Sequence, residues 1–202
     1  MIECVLFDLD GVLVDACDWH YKSLNKALMD MGHSAINEEE HITKYNGLPT
    51  IVKLKMLNIN DIDAIKIGNL KQIYTKKIIQ QYAKIMKEKQ KMHVWMKSKN
   101  IKIACVTNSI RETAELMLSE TGQVEFIDLL VSNEDVKNNK PSGEAYDYAI
   151  KKLGVDPNFS ICVEDSLTGI KAAENSQVKF LWKVKNTTEV TLDNLKKFIE
   201  NK

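Results

Sequence analysis

Four short apolar runs punctuate the chain, at residues 2–7, 101–107, 126–132 and 159–163, and a weaker fifth covers 178–184. Val, Ile, Leu, Phe and Cys fill them nearly without a break, with no alternation of polar and apolar positions. Such runs predict strands buried on both faces, as in a parallel sheet covered by helices. Helical spacing separates the later runs, over 111–120, 143–153, 167–174 and 190–200. Ser109 and Glu112 have the form of a capping box for the first of these. Pro141 and Gly154 bracket the second. Strand followed by helix, repeated, predicts right-handed crossovers and an α/β fold with a doubly wound parallel sheet.

The rhythm breaks once. Residues 8–100 hold no strand-like run. The pattern there predicts helices over 19–31, stopped by Gly32, and over 38–45, capped by Asn37. A third is expected over 51–57 after Pro49 and Thr50. A long Lys-rich helix follows over 61–87, with Gly68 as a candidate break, and a helix over 92–99 leads back to the sheet. The simplest organisation is an α-helical insertion over 15–87, with 1–14 and 88–202 forming the α/β core.

Composition adds bounds. Of 202 residues, 44% are hydrophobic and 28% charged, enough to build a core and against wholesale disorder. Twenty-eight basic and 28 acidic residues cancel, so no global field selects nucleic acid or a membrane surface. Eleven Lys face one acid, Glu88, between Ala64 and Lys102. With no Arg and little aromatic interleaving, that window reads as a solvated helix face and not as a nucleic-acid patch. The apolar runs fall short of the ~20 residues of a membrane span, and the opening MIECVLFDLD lacks the form of a signal peptide. The expectation is a cytoplasmic monomer with no membrane partner. Cys4, Cys105 and Cys162 sit inside apolar runs and read as small buried hydrophobes. Cys17 stands apart, with nothing nearby that marks an activated thiol.

The chemistry gathers where strands end. FDLDGVLVD, Phe7 to Asp15, sets Asp8 and Asp10 two residues apart after the first run. In an open parallel sheet the carboxyl ends of strands bind ligands. Two carboxylates this close repel each other unless a cation or a shared proton intervenes. Gly11 permits a sharp turn and close approach of a ligand. Thr107-Asn108-Ser109 ends the second run, where a hydroxyl and a helix N-terminus suit an anionic oxygen. Lys140, before Pro141, offers a fixed positive charge for a phosphate. Glu164-Asp165-Ser166 ends the fourth run with a second acidic pair, able to complete a Mg²⁺ site.

In this order, these motifs resemble the haloacid dehalogenase superfamily of aspartyl phosphohydrolases. The chain is similar over its whole length to the branch with a helical cap after the first strand, which includes β-phosphoglucomutase-like and phosphoglycolate-phosphatase-like enzymes. The resemblance implies a Rossmann-like core with an inserted cap and a Mg²⁺-dependent phosphatase acting on a small phosphorylated metabolite. By it, Asp8 is the nucleophile and Asp10 the general acid, then base, with a pKa raised by its neighbours. Thr107 and Lys140 hold the phosphoryl group. Asp8, the Asp10 carbonyl and Asp165 bind Mg²⁺, supported by Glu164. Gly11, Asn108 and Ser109 line the substrate position, and His20, Gly47 and Arg111 are further candidates. His20 reads equally as a packing histidine, and Arg111 equally as a solvent-exposed one.

Departures bear on the substrate. Ala16 follows Asp15 where relatives often carry a hydroxyl. The loop Asn46-Gly47-Leu48-Pro49-Thr50 places Thr50 where mutases supply an arginine, and Arg111 is the only arginine in the chain. A phosphosugar mutase is therefore the second reading and hydrolysis the first, since a lysine is a poorer bidentate clamp. A non-catalytic binding module on the same fold is the third, disfavoured by four intact motifs.

Overall fold

The computed structural model describes all 202 residues. Five parallel strands form one sheet: β1 (Cys4–Phe7), β2 (Lys102–Val106), β3 (Leu129–Val131), β4 (Ser160–Glu164) and β5 (Phe180–Lys183), in the order β3-β2-β1-β4-β5. The helices are α1 (Cys17–Asp30), α2 (Glu38–Glu40), α3 (Thr50–Met56), α4 (Asp61–Tyr82), α5 (Lys87–Ser98), α6 (Arg111–Glu120), α7 (Glu144–Leu153), α8 (Leu167–Glu174) and α9 (Leu192–Glu200). Every residue of β1 is buried, as its unbroken apolar run requires in the middle of a covered sheet. Cys4 and Leu6 pack with Ala104, Val106 and Cys162 against Tyr146 and Ala149 of α7 and Ala172 of α8. Phe7, pointing to the other face, meets His93 of α5 edge-on at 6.0 Å. Helices thus cover both faces, and β1 lies where the strand order reverses.

The chain divides into Met1–Asp15 with Lys84–Lys202, and Ala16–Ala83. The expected boundaries of 15 and 87 therefore shift: Asp15 and residues 84–87 go with the sheet. The reason at the second boundary is a break in the Lys-rich helix. It ends at Tyr82, not 87, and passes through Gly68 unbroken. In the helical unit Leu24, Ala27 and Leu28 of α1 pack with Leu54 of α3 and Ala64 and Ile67 of α4. Asn37 caps α2 as expected, but the backbone then widens into a π-helical turn over His41–Tyr45.

Two other expectations need correction. Ser109 does not cap α6: the N-cap is Ile110, without a side-chain cap bond, so the helix begins one residue later than the capping-box spacing needs, and the Ser109 hydroxyl donates to Asp10. The Lys-rich window is not wholly solvated. Lys71 and Lys89 are buried, Lys71 against His20 and Lys89 on two carbonyl oxygens.

Candidate active site

The sheet delivers the site from several strand ends. Asp8 follows β1, its N–H donating to Val163 at 3.0 Å, while Thr107 follows β2 and donates its N–H to Val131 at 2.9 Å. Glu164 closes β4 and Asp165 follows it. Lys140 comes from the long loop after β3. Asn108 holds it there: its Oδ1 accepts from the Lys140 N–H at 3.1 Å and its Nδ2 donates to the Lys140 carbonyl at 3.3 Å. Asn108, expected beside the substrate, thus pins a catalytic candidate.

Lys140 is 5% exposed and its ammonium has three acceptors for three protons. It donates to Asp8 Oδ1 at 2.6 Å, Glu164 Oε1 at 2.6 Å and the Val106 carbonyl at 2.8 Å. Burial pulls its pKa down, but Asp8 and Glu164 outweigh that and hold it above the ordinary value. The Tyr146 hydroxyl also donates to Glu164 Oε1. Sequence reasoning missed this tyrosine, because an aromatic on the inner face of a helix carries no signal beyond packing. It also missed Gly169. A Cβ there would fall 2.0 Å from the Glu164 carboxyl group, so only glycine lets α8 pass this close.

One oxygen each of Asp8, Glu164 and Asp165 lies within 4.8 Å of the others. Glu164 Oε2 and Asp165 Oδ1 are buried without a hydrogen-bond partner. Buried carboxylate oxygens left unpaired are costly, and a hard cation that takes only oxygen ligands would satisfy them. Gly11, at φ +88°, brings its backbone so near that a Cβ would lie 2.0 Å from Asp165 Oδ2. The residues fit Mg²⁺. Asp10 Oδ2 accepts from Ser109 Oγ at 3.1 Å, and Ser109 N–H donates to Thr107 Oγ1 at 3.0 Å, which leaves the Thr107 proton to donate.

Three further candidates, Arg111, His20 and Gly47, bond to other partners. Arg111 directs its guanidinium to Asp135, at 2.6 and 2.8 Å, and to the Leu130 carbonyl, so its charge is held in an ion pair. His20 and Gly47 belong to the helical unit. His20 Nδ1 accepts from Lys71 Nζ at 2.9 Å, and Gly47, at φ +74°, donates to Asn46 Oδ1.

Burial raises the Asp8 carboxyl well above the usual range, with Glu164 adding and Lys140 opposing. Asp165 is pushed up to about 7, by burial first and then by Glu164 and Asp10. An unfolded carboxyl titrates near ~4, so between there and about pH 7 Asp165 holds more proton in the folded protein than in the unfolded chain. The raised carboxyls therefore favour the folded state less as pH rises through that window, while the buried imidazoles of His41 and His93, pushed down to about 4, act in the opposite sense. The expected result is that Mg²⁺ raises the melting midpoint, relative to EDTA, by more at pH 8 than at pH 5, because protons compete with the metal for these carboxylates. Scanning fluorimetry at both values, with either additive, checks this; equal shifts at the two pH values would contradict it.

The comparisons with known proteins agree on the class. The chain is 26% identical over 191 residues to the phosphorylated carbohydrates phosphatase of Thermotoga maritima, covering 91% of this chain and 85% of that protein. It is 26% identical over 194 residues to the pyrophosphatase PpaX of Oceanobacillus iheyensis, covering 92% and 86%. Its fold matches the crystal structure of β-phosphoglucomutase from Clostridium difficile with a TM-score of 0.82 at 23% identity, over 100% of this chain and 98% of that one. The model of the haloacid dehalogenase-like hydrolases matches residues 5–183, and the chain therefore belongs to that family of enzymes.

Proposed function

We propose that this hydrolase is a Mg²⁺-dependent phosphatase of small phosphorylated metabolites and works through an aspartyl-phosphate on Asp8. The observation that carries the reading is Lys140, buried and bonded to both Asp8 and Glu164, beside the unpartnered oxygens of Glu164 and Asp165. A carboxylate attacks a phosphate dianion only if charge repulsion is cancelled. Asp8, the Asp10 carbonyl and Asp165, with Glu164 behind them, would hold Mg²⁺, which would supply that neutralisation.

Asp8 attacks phosphorus, and the bond from phosphorus to the leaving oxygen breaks in line. Asp10 gives its proton to that oxygen, and the alcohol departs. The Thr107 hydroxyl holds a non-bridging oxygen, and Lys140, its N–H released by Asp8 as that carboxylate bonds to phosphorus, holds another. Asp10, now a carboxylate, takes a proton from water as it attacks the aspartyl-phosphate. Inorganic phosphate leaves and Asp8 is restored. Relatives named as phosphatases of phosphorylated carbohydrates and pyrophosphate support a small phosphorylated substrate. Hydrolysis is favoured over phosphosugar isomerisation because the helical insertion has no arginine to hold a distal phosphate.

The test is phosphorus NMR of the enzyme with sugar phosphates, including β-glucose 1-phosphate with a bisphosphate primer. Inorganic phosphate is expected as the main product with Mg²⁺ and none in excess EDTA. Glucose 6-phosphate forming faster than inorganic phosphate would replace this reading with the mutase.

A further inference from the structure

The segment after Asp10 is a tight turn folded on itself. Gly11 N–H donates to Val14 at 2.7 Å, and the Leu13 and Val14 N–H groups donate to Leu9 at 3.0 and 2.9 Å. That leaves the carbonyls of Val12 and Leu13, both residues fully buried, needing donors from outside the turn. Each has one. Thr187 Oγ1 donates to the Val12 carbonyl at 2.8 Å, and Gln123 Nε2 donates to the Leu13 carbonyl at 3.1 Å.

Both donors are themselves held by α5. Lys89 Nζ donates to the carbonyls of Thr187 and Val190 at 2.6 Å each. Four residues on, on the same face, His93 Nε2 stands 3.0 Å from Gln123 Oε1. Because Gln123 Nε2 already donates to Leu13, its Oε1 accepts, and His93 carries its proton on Nε2. His93 Nδ1 is buried without a partner, which suits a neutral ring. That ring lies between Phe126, stacked at 5.7 Å, and Phe7, the residue before Asp8.

We propose that Thr187 and Gln123 are positioning residues: through the Val12 and Leu13 carbonyls they set the turn that carries Asp10 and Gly11, with Lys89 and His93 of α5 as their supports. The inference rests on the phosphatase reading for its kinetic readout, but not for its structural one. Proton transfer by Asp10 and the approach of Gly11 to Asp165 both depend on where this turn sits. A displacement near 1 Å in such machinery costs on the order of 10²-fold in rate, and a partial loosening correspondingly less.

The experiment compares Thr187→Val, which keeps volume and loses the donor, with Thr187→Ser, which loses a methyl and keeps the donor. Phosphate release from p-nitrophenyl phosphate with Mg²⁺ is measured together with amide hydrogen exchange of the peptide spanning residues 8–15. Thr187→Val is expected to lower kcat about tenfold with KM little changed, and to speed exchange in that peptide. Thr187→Ser should stay near wild type in both, even where its melting midpoint falls as far. If Thr187→Val does not fold, Gln123→Met carries the same expectation. Wild-type exchange in the donor-less variant, or equal kcat losses in Val and Ser, overturns the proposal. Should the wild type release no phosphate from any ester, the phosphatase reading fails and the exchange comparison alone decides this one.

Discussion

Asp8→Asn is expected to abolish phosphate release while making the metal-free protein more stable at neutral pH. The amide keeps the size of the carboxyl group and can still accept from Lys140, yet it has no charge with which to attack phosphorus. Removing a nucleophile costs roughly 10⁴–10⁶-fold in turnover. Stability should move the other way. Burial, then Glu164, disfavours the charged form of Asp8 in the folded state, despite Lys140. The neutral amide escapes that penalty, worth about 2–4 °C of melting midpoint for each kcal/mol recovered. The opposite signs make the variant its own folding control. Retained turnover would remove Asp8 from the nucleophile's role. A lower midpoint at pH 8 in EDTA would mean that the Asp8–Lys140 pair outweighs the crowding of acids.

Asp10→Asn should slow turnover by roughly 10²–10⁴-fold, the usual contribution of a general acid–base group, and leave Mg²⁺ affinity nearly unchanged. The proposal gives the metal only the backbone carbonyl of Asp10, while its side chain accepts from Ser109. Calorimetric titration with Mg²⁺ separates the two roles. If affinity collapses and excess metal restores the rate, the Asp10 side chain is a ligand and not the proton carrier.

The acidic residues of the candidate site were legible because each ends an apolar run. Asp8, Glu164 and Asp165 mark where a buried strand meets the ligand-binding edge of the sheet, and spacing alone places them there. Lys140 and Asn108 were legible as positions but not as partners. The exchange of two hydrogen bonds between Asn108 and the Lys140 backbone joins loops 32 residues apart. Ser109 misled for a physical reason. A serine three residues before a glutamate satisfies a local capping pattern, but the chain enters the helix one residue later, after Ile110, and the Ser109 hydroxyl turns to Asp10, 99 residues away in sequence. Lys71 and Lys89 misled likewise, since a lysine among lysines carries no local mark of burial. Arg111 reads from the sequence either as reaching a substrate or as solvent-exposed, and the pairing with Asp135 is one that no local pattern signals.

By itself the sequence determined the alternation of buried strands and amphipathic helices, the helical insertion after the first strand, and the order in which acids, hydroxyl and lysine reach the strand ends. These follow from short-range rules, since strand and helix periodicities and most capping signals act within a few residues. Only the tertiary structure decided which atom answers which. Lys140 reaches Asp8 across 132 residues and Glu164 across 24, and Thr187 reaches Val12 across 175. Such pairs arise because burial strips water from every polar atom at once, and each must then take whatever donor or acceptor the packed sheet brings within 3 Å or so. A linear pattern holds no record of that allocation.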